Sequence, residues 1–167
     1  MSEIRVDAIK TRAGAVPKAV DVGLNITGTV LQVVNSSYDT TVSNTSGTMA
    51  DTGLSATITP TSSSSKILVT VCQNGFQKSA ANTYAKVILL RGSTEISIIV
   101  TPLGYNASTN TAVSATAGIT FLDSPNTTNA TTYKTQFNNI DAVGTVYFQT
   151  STSGQSVSTI TLMEIAV

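Results

Sequence analysis

The sequence predicts an all-β protein, a jelly-roll-like antiparallel β-sandwich with an extended N-terminal arm. About eight segments alternate apolar and polar residues with the period of a strand. Turn-forming Gly, Pro, Asn and Ser clusters separate them at short spacing, and no repeat of about 20 to 50 residues occurs. We therefore assign residues 1–28 to the arm and residues 29–167 to the sandwich domain.

The first predicted strands lie on either side of a polar corner. Residues 29–35 form the first strand, and the next ends at Pro60, because proline cannot donate to the ladder. Serines 62–65 then let the chain turn and satisfy backbone groups with their hydroxyls, and a new strand begins at Lys66. Six apolar side chains beside the corner are predicted to point into the core: Leu54, Ala56, Ile58, Ile67, Val69 and Val71.

A hairpin is predicted from strand 83–90, a tight turn at 91–93 and strand 94–100. Its first arm is apolar on both faces, with Ile88 and Leu90 on one and Val87 and Leu89 on the other. A strand that is apolar on both sides is covered on both sides. Since no helix is predicted, we expect a second copy of the chain to cover the outer face.

The last third of the chain predicts two further strand pairs. One lies within residues 114–137, with a loop at 123–131, and the other is a hairpin within 144–167 that turns near Gly154. The final strand is expected inside a sheet and ordered to its end. Its apolar residues fall on two faces, Ile160 and Leu162 on one and Met163, Ile165 and Val167 on the other.

Composition excludes several function classes. Charged residues are 11% of the chain, the net charge is zero and histidine is absent. Nucleic-acid binding needs clustered Lys and Arg, and Ser-His-Asp triads and Cys-His pairs need histidine. Cys72 is the only cysteine, so no intramolecular disulfide forms, and a buried small apolar role is predicted for it. We predict a protein that is not an enzyme and has no cofactor.

Three features of the chain have residues that could carry chemistry, but each also has the composition of an ordinary turn. Ser63–Lys66 matches the S-x-x-K pattern of penicillin-recognising enzymes but lacks its partner motifs. Glycoside hydrolysis needs two converging carboxylates, whereas Asp51, Asp123 and Asp141 stand singly beside turn residues. A weak calcium site is conceivable in the loop with Asp123, Asn126 and Asn129, although one carboxylate is few for calcium.

The first 28 residues carry charge but too little apolar surface to fold alone. They contain four of the nine basic residues and no apolar run of signal-peptide or membrane-spanning length, which predicts synthesis in a cytoplasm. We expect this arm to dock onto a larger assembly, with a frayed tail as the alternative. The predicted docking residues are apolar Ile4, Val6 and Ile9, with Arg5, Lys10 and Arg12 setting register by charge.

Several segments carry a family resemblance. They are MSEIRVDAIKTRAGAVPKAV, TGTVLQVV, DTGLSATITPTSSSSKILV, LLRGST, FLDSP and STITLMEIAV. The chain resembles small tail-fibre and virion-surface proteins of tailed phages that infect marine bacteria and cyanobacteria. The resemblance implies a short attachment segment and a trimeric knob similar in outline to C1q-like and tumour-necrosis-factor-like jelly rolls. It implies no catalytic residues, and the chain departs from long fibres in having no repetitive shaft.

The expected function is therefore that of a phage virion structural protein. It would be a tail-fibre-like trimeric knob that acts in host-surface recognition, or alternatively a capsid decoration protein that stabilises the phage head. A polysaccharide-degrading tailspike domain is the remote alternative. The expected partners are sister subunits, tail or major capsid proteins, and a host-surface glycan or protein, without nucleic acid or membrane insertion. The expected location is the virion, and the sequence assigns no receptor-contact residues.

Overall fold

The computed structural model describes residues 27–107, 113–150 and 156–167. These residues form ten β-strands and no helix, so none of them belongs to a helix with the length and apolar character needed to cross a membrane. The strands are β1 (Val30–Tyr38), β2 (Val42–Asn44), β3 (Ala50–Ile58), β4 (Lys66–Lys78), β5 (Ala85–Arg91), β6 (Thr94–Leu103), β7 (Ala115–Asp123), β8 (Thr131–Asn139), β9 (Val146–Phe148) and β10 (Ser158–Ile165).

The strands form two antiparallel sheets that pack as a sandwich. In the first sheet the long strands run in the order β1-β10-β4-β7. The short strand β9 pairs with Gln77 and Lys78 at the end of β4, and the short strand β2 pairs with β9. In the second sheet the order is β3-β8-β5-β6. The chain passes back and forth between these two groups of four strands, which is the arrangement of a jelly roll. The predicted fold class is confirmed.

The hairpin of β5 and β6 is confirmed, with a two-residue turn at Gly92 and Ser93. Gly92 has a φ of 61°, a conformation that glycine adopts without steric cost, as at the first central position of a type II′ turn. The two later pairs were predicted wrongly. β7 pairs with β4 and β8 with β3 and β5, while β9 and β10 do not pair with each other. Gly154 lies outside the described residues.

The sandwich has two distinct ends. One end, called the corner end, carries the corner between β3 and β4. The described chain also begins there, and Gly28 N donates to Ala166 O at 2.8 Å. The turn between β5 and β6 and the loop between β7 and β8 lie at the same end. The opposite end carries the loops between β4 and β5, β6 and β7, and β8 and β9. It is called the groove end, because a groove opens between these loops. Strand β4 runs the whole way, and its 13 residues span roughly 40 Å.

The proline and serine corner forms as predicted. β3 ends at Ile58, β4 begins at Lys66, and the Ser62 hydroxyl accepts from Ser64 N at 3.2 Å. The buried Glu164 of β10 also holds the corner, because one carboxylate oxygen accepts from both Thr61 N and Thr61 Oγ1 at 2.7 Å. Burial raises the pKa of Glu164, but hydrogen bonds from Gln32, Ser65 and Thr61 outweigh it and leave the pKa below its ordinary value.

The core consists of two apolar clusters. The cluster at the corner end contains all six side chains predicted to point inward beside the corner, together with Leu89, Tyr133, Ile160 and Leu162. The cluster at the groove end is built around three aromatic rings, with Phe148 packing against Phe76 and Phe137 at centroid distances of 5.5 and 5.2 Å.

A layer of buried polar side chains joins the two sheets within this core. Thr52 of β3 bonds to Thr135 of β8 at 2.5 Å, and Thr135 Oγ1 donates to Gln73 Oε1 of β4 at 3.0 Å. Ser158 Oγ of β10 then accepts from Gln73 Nε2 at 3.0 Å and from Gln149 Nε2 at 2.9 Å. Because buried polar groups are costly unless bonded, this layer fixes the alignment of the sheets.

The outer face of the second sheet corrects one expectation. Ile88 and Leu90 are only 3% and 5% exposed within the single chain, so no second copy is needed to cover them. Leu90 lies between Lys134 and Glu95 in the strand register, and long side chains of this kind cover apolar neighbours with their stems. Neighbouring charges are ion-paired there, including Lys134 with Asp51 at 2.9 Å.

Cys72 also differs from its expected role. It faces outward on β4 and is half-buried, and its Sγ contacts Asn74 Oδ1 at 3.5 Å. The alternation that places Val71 in the core places the next residue on the other side of the sheet.

Candidate functional site

A groove of about 570 Å³ lies between three loops at the groove end. Tyr84 enters it just before β5, Tyr105 just after β6, and Asp141 just after β8. The remaining lining residues are Thr101, Pro102 and Ile140, and the Thr101–Pro102 peptide bond is cis. The two tyrosine rings meet edge to face, with centroids 5.4 Å apart and planes at 82°, and Tyr105 is 55% exposed.

Buried neighbours hold the loop that carries Tyr105. Gly104 has a φ of 76°, and a Cβ there would come within 2.1 Å of the Phe76 ring, so glycine is required. On the other side of Tyr105, the buried Lys78 donates through Nζ to Asn106 Oδ1 at 2.7 Å. Burial lowers the pKa of Lys78. The exposed tyrosine is therefore supported on both sides.

The loop after β8 is held equally well. Thr83 Oγ1 donates to Val143 O at 2.6 Å, and Ile140 N donates to Tyr84 O at 3.2 Å. These bonds place Asp141 beside the tyrosine, so that Tyr84 Oη donates to Asp141 Oδ1 at 3.1 Å. This hydrogen bond raises the pKa of Tyr84. The groove thus combines aromatic faces with an exposed, oriented carboxylate.

A second surface crosses the outer face of the first sheet. Val33 of β1, Met163 of β10, Leu68 of β4 and Leu122 of β7 stand opposite one another in register and form a continuous apolar row. Val33 is 56% and Leu122 is 51% exposed. The adjacent row is uncharged and polar, and consists of Asn35, Thr161, Thr70 and Thr120.

The outer faces of the two sheets differ in charge. On the outer face of the first sheet, the paired and described segments of β1, β10, β4 and β7 present one charged residue, Lys66. The second sheet instead presents two ion pairs, Lys86 with Glu95 and Lys134 with Asp51. Charge depletion with exposed apolar side chains is typical of an interface core, whereas paired charges are typical of a solvated face.

In the loop considered for calcium, the Asp123 carboxylate is engaged by other side chains of the protein. Asp123 accepts from Arg91 Nη1 at 2.9 and 2.8 Å through its two oxygens, and from Tyr133 Oη at 2.6 Å. The carboxylate therefore ties β7 of one sheet to β5 and β8 of the other. No group of three potential metal-binding Cys, His, Asp or Glu side chains occurs in the described part of the chain. The calcium hypothesis is not supported.

The described lining of the groove contains one carboxylate, Asp141, whereas glycoside hydrolysis generally uses two. Asp123 lies at the corner end and Asp51 on the outer face of the second sheet. The candidate acids are thus not brought together. The predicted docking residues lie within residues 1–26 and so outside the described residues: Ile4, Arg5, Val6, Ile9, Lys10 and Arg12.

Sequence comparison gave no relative. No family model matches the chain, and no curated protein matches it. The structure is similar to that of the infectious bursal disease virus VP2 subviral particle, with a TM-score of 0.52 and 10% identity over 82% of this chain and 34% of that one. A structure of the Gx strain of the same virus gives a TM-score of 0.43 and 13% identity, over 81% and 41% of the two chains.

The present chain thus spans about a third of the VP2 chain in the subviral particle. At 10% identity the likeness concerns the fold alone. The chain shares its jelly-roll fold with part of this viral protein.

Proposed function

We propose that this chain is a virion structural protein of a tailed phage, a knob that is fixed to the particle through its N-terminal segment and acts in host-surface recognition. The observation that carries the proposal is that the start of the described chain and the groove lie at opposite ends of the domain. The chain enters the domain at the corner end, beside Ala166, and the groove opens at the other end of β4, roughly 40 Å away. A domain attached at its corner end would hold the groove away from the particle.

The composition and the fold support this proposal. Charged residues are scarce, and jelly rolls recur in viral capsid and lectin domains. The VP2 chain with the similar fold belongs to a subviral particle. These are likenesses of architecture, and the tethered-knob function depends on the arrangement of the ends.

The homotrimer is part of the same proposal, with the outer face of the first sheet as the subunit contact. A face four strands wide and seven or eight residues long measures about 500 Å². In a three-fold trimer it would meet a different surface of equal area on the neighbouring subunit, so each contact would bury about 1,000 Å², the lower limit for a specific interface. The apolar row lies across this face. A trimer has a mass of about 52 kDa, three times the 17.3 kDa of one chain.

Deletion of residues 1–20 in the infecting phage tests the attachment. We expect the shortened protein to remain folded and trimeric in solution but to be missing from purified particles, which should adsorb to host cells less efficiently. Immunogold labelling of unmodified particles then gives the location. Loss of folding on deletion, or normal incorporation without residues 1–20, would contradict the proposal.

A capsid decoration protein is the second candidate. The likeness to a chain of a subviral particle and the outer face of the first sheet favour it, since a flat, charge-poor face also suits a capsid surface. Copy number separates the two candidates. A few dozen copies or fewer per particle support the tail assignment, and hundreds support the head.

A further inference from the structure

We propose that the groove between Tyr84, Tyr105 and Asp141 is a binding site for a neutral saccharide. The inference rests on the proposed function, because it names the ligand class through which the knob would recognise a host surface. The three side chains come from loops after different strands and converge on one volume of about 570 Å³. That volume lies within the range of small-ligand sites, which combine apolar walls with a few fixed polar groups.

The chemistry of the lining selects the ligand. A sugar ring presents C–H faces that pack on exposed aromatic rings and hydroxyl groups that donate hydrogen bonds. Tyr105 offers an exposed ring face, and Asp141 offers carboxylate oxygens that accept. No Lys or Arg belongs to the described lining, so an acidic sugar would meet the Asp141 charge without a counter-ion.

Proline-rich peptides also bind in aromatic grooves, but their carbonyl oxygens need donors. The Tyr84 hydroxyl already donates to Asp141 Oδ1 at 3.1 Å. The carboxylate itself only accepts, so the oriented polar group of the groove suits hydroxyl donors better than peptide carbonyls.

Buried neighbours also hold the groove residues in place, which reduces the entropic cost of binding. Tyr105 follows Gly104, which packs on Phe76, and precedes Asn106, which the buried Lys78 holds. The groove is therefore built before any ligand arrives.

Saturation-transfer NMR on the 167-residue chain tests the proposal. The probes are methyl glycosides of glucose, galactose, mannose and rhamnose and their disaccharides, with methyl glucuronide and decaproline as contrasting ligands. We expect saturable transfer to ring C–H protons of at least one neutral probe. Tyr105→Ala and Asp141→Ala should each weaken that binding about tenfold. The matched control Tyr147→Ala, a tyrosine on β9 outside the groove lining, should stay within about twofold.

Binding of decaproline or glucuronide in place of neutral probes would overturn the proposal, as would no saturable neutral binding or unchanged affinity in both groove variants. If Tyr105→Ala does not fold, the exposed Asp141→Ala decides. Failure here is distinct from failure of the proposed function. A protein that binds no saccharide can still be found on the virion, and a saccharide-binding protein absent from particles would refute the virion role alone.

Discussion

Replacing Arg91 with methionine tests whether the contact with Asp123 holds the two sheets together. The change keeps an apolar stem but removes both hydrogen bonds from Nη1 to the carboxylate, at 2.9 and 2.8 Å. Breaking a buried ion pair costs about 3 to 5 kcal/mol, and breaking an exposed one about 0 to 1 kcal/mol. Since the Arg91 side chain is 32% exposed and that of Asp123 is 10% exposed, we expect about 2 kcal/mol.

The assay is urea unfolding followed by circular dichroism at one fixed protein concentration, because association would make stability concentration-dependent. In thermal unfolding at the same protein concentration, a loss of about 2 kcal/mol should lower the Tm by about 4 to 8 °C. The double variant Arg91→Met with Asp123→Asn should recover about half of the loss, since no uncompensated charge remains.

Lys86→Met is the matched control. It removes the 3.4 Å pair with Glu95 on the outer face of the same sheet and should cost less than about 0.5 kcal/mol. If Arg91→Met costs no more than this control, or if the double variant is no more stable than Arg91→Met alone, the reasoning is refuted.

Three further predictions follow from other parts of the structure. Leu122→Lys places a charge in the apolar row and should convert the trimer to monomers in light scattering, whereas Ser55→Lys on the outer face of the second sheet should not; an intact trimer would contradict the interface. Because the folded-state pKa of Glu164 lies below its ordinary value of 4.5, the unfolded chain takes up the proton first. Stability should therefore fall as the pH drops below about 4.5, and a Glu164→Gln variant that keeps the same acid dependence would contradict this. Thr135→Val interrupts the buried polar layer and should cost about 1 to 3 kcal/mol in urea unfolding, while Thr132→Val, half-buried on the same strand, should cost distinctly less.

Much of the fold could be predicted from the sequence because strand alternation and turn residues are local signals. The alternation of Ile67, Val69 and Val71 correctly gives the inward face of β4, and Pro60 with the serines correctly gives the corner. Strand partners are non-local. The loop at 124–130 crosses from one sheet to the other, and a chain that crosses between sheets has the same turn composition as a hairpin.

The outer face and the groove escaped prediction for the same reason. The pattern at Ile88 and Leu90 indicates that both faces of the strand are buried. It does not indicate that side chains on neighbouring strands of the same sheet cover the outer face. Tyr84, Tyr105 and Asp141 are far apart in sequence, and only the topology brings their loops together. A weak signal existed, since all three lie at strand ends, where function tends to concentrate.

The buried polar layer has a consequence for motion. Hydrogen-bonded side chains lie between the cluster at the groove end and the cluster at the corner end. Because different parts of one domain can open with different free energies, we expect the two clusters to open separately. Amide exchange should then show two cooperative units. A ligand bound in the preformed groove would slow exchange near Phe76 and leave it unchanged near Ile160, so binding would stabilise one end of the domain without altering the end at which the chain enters it.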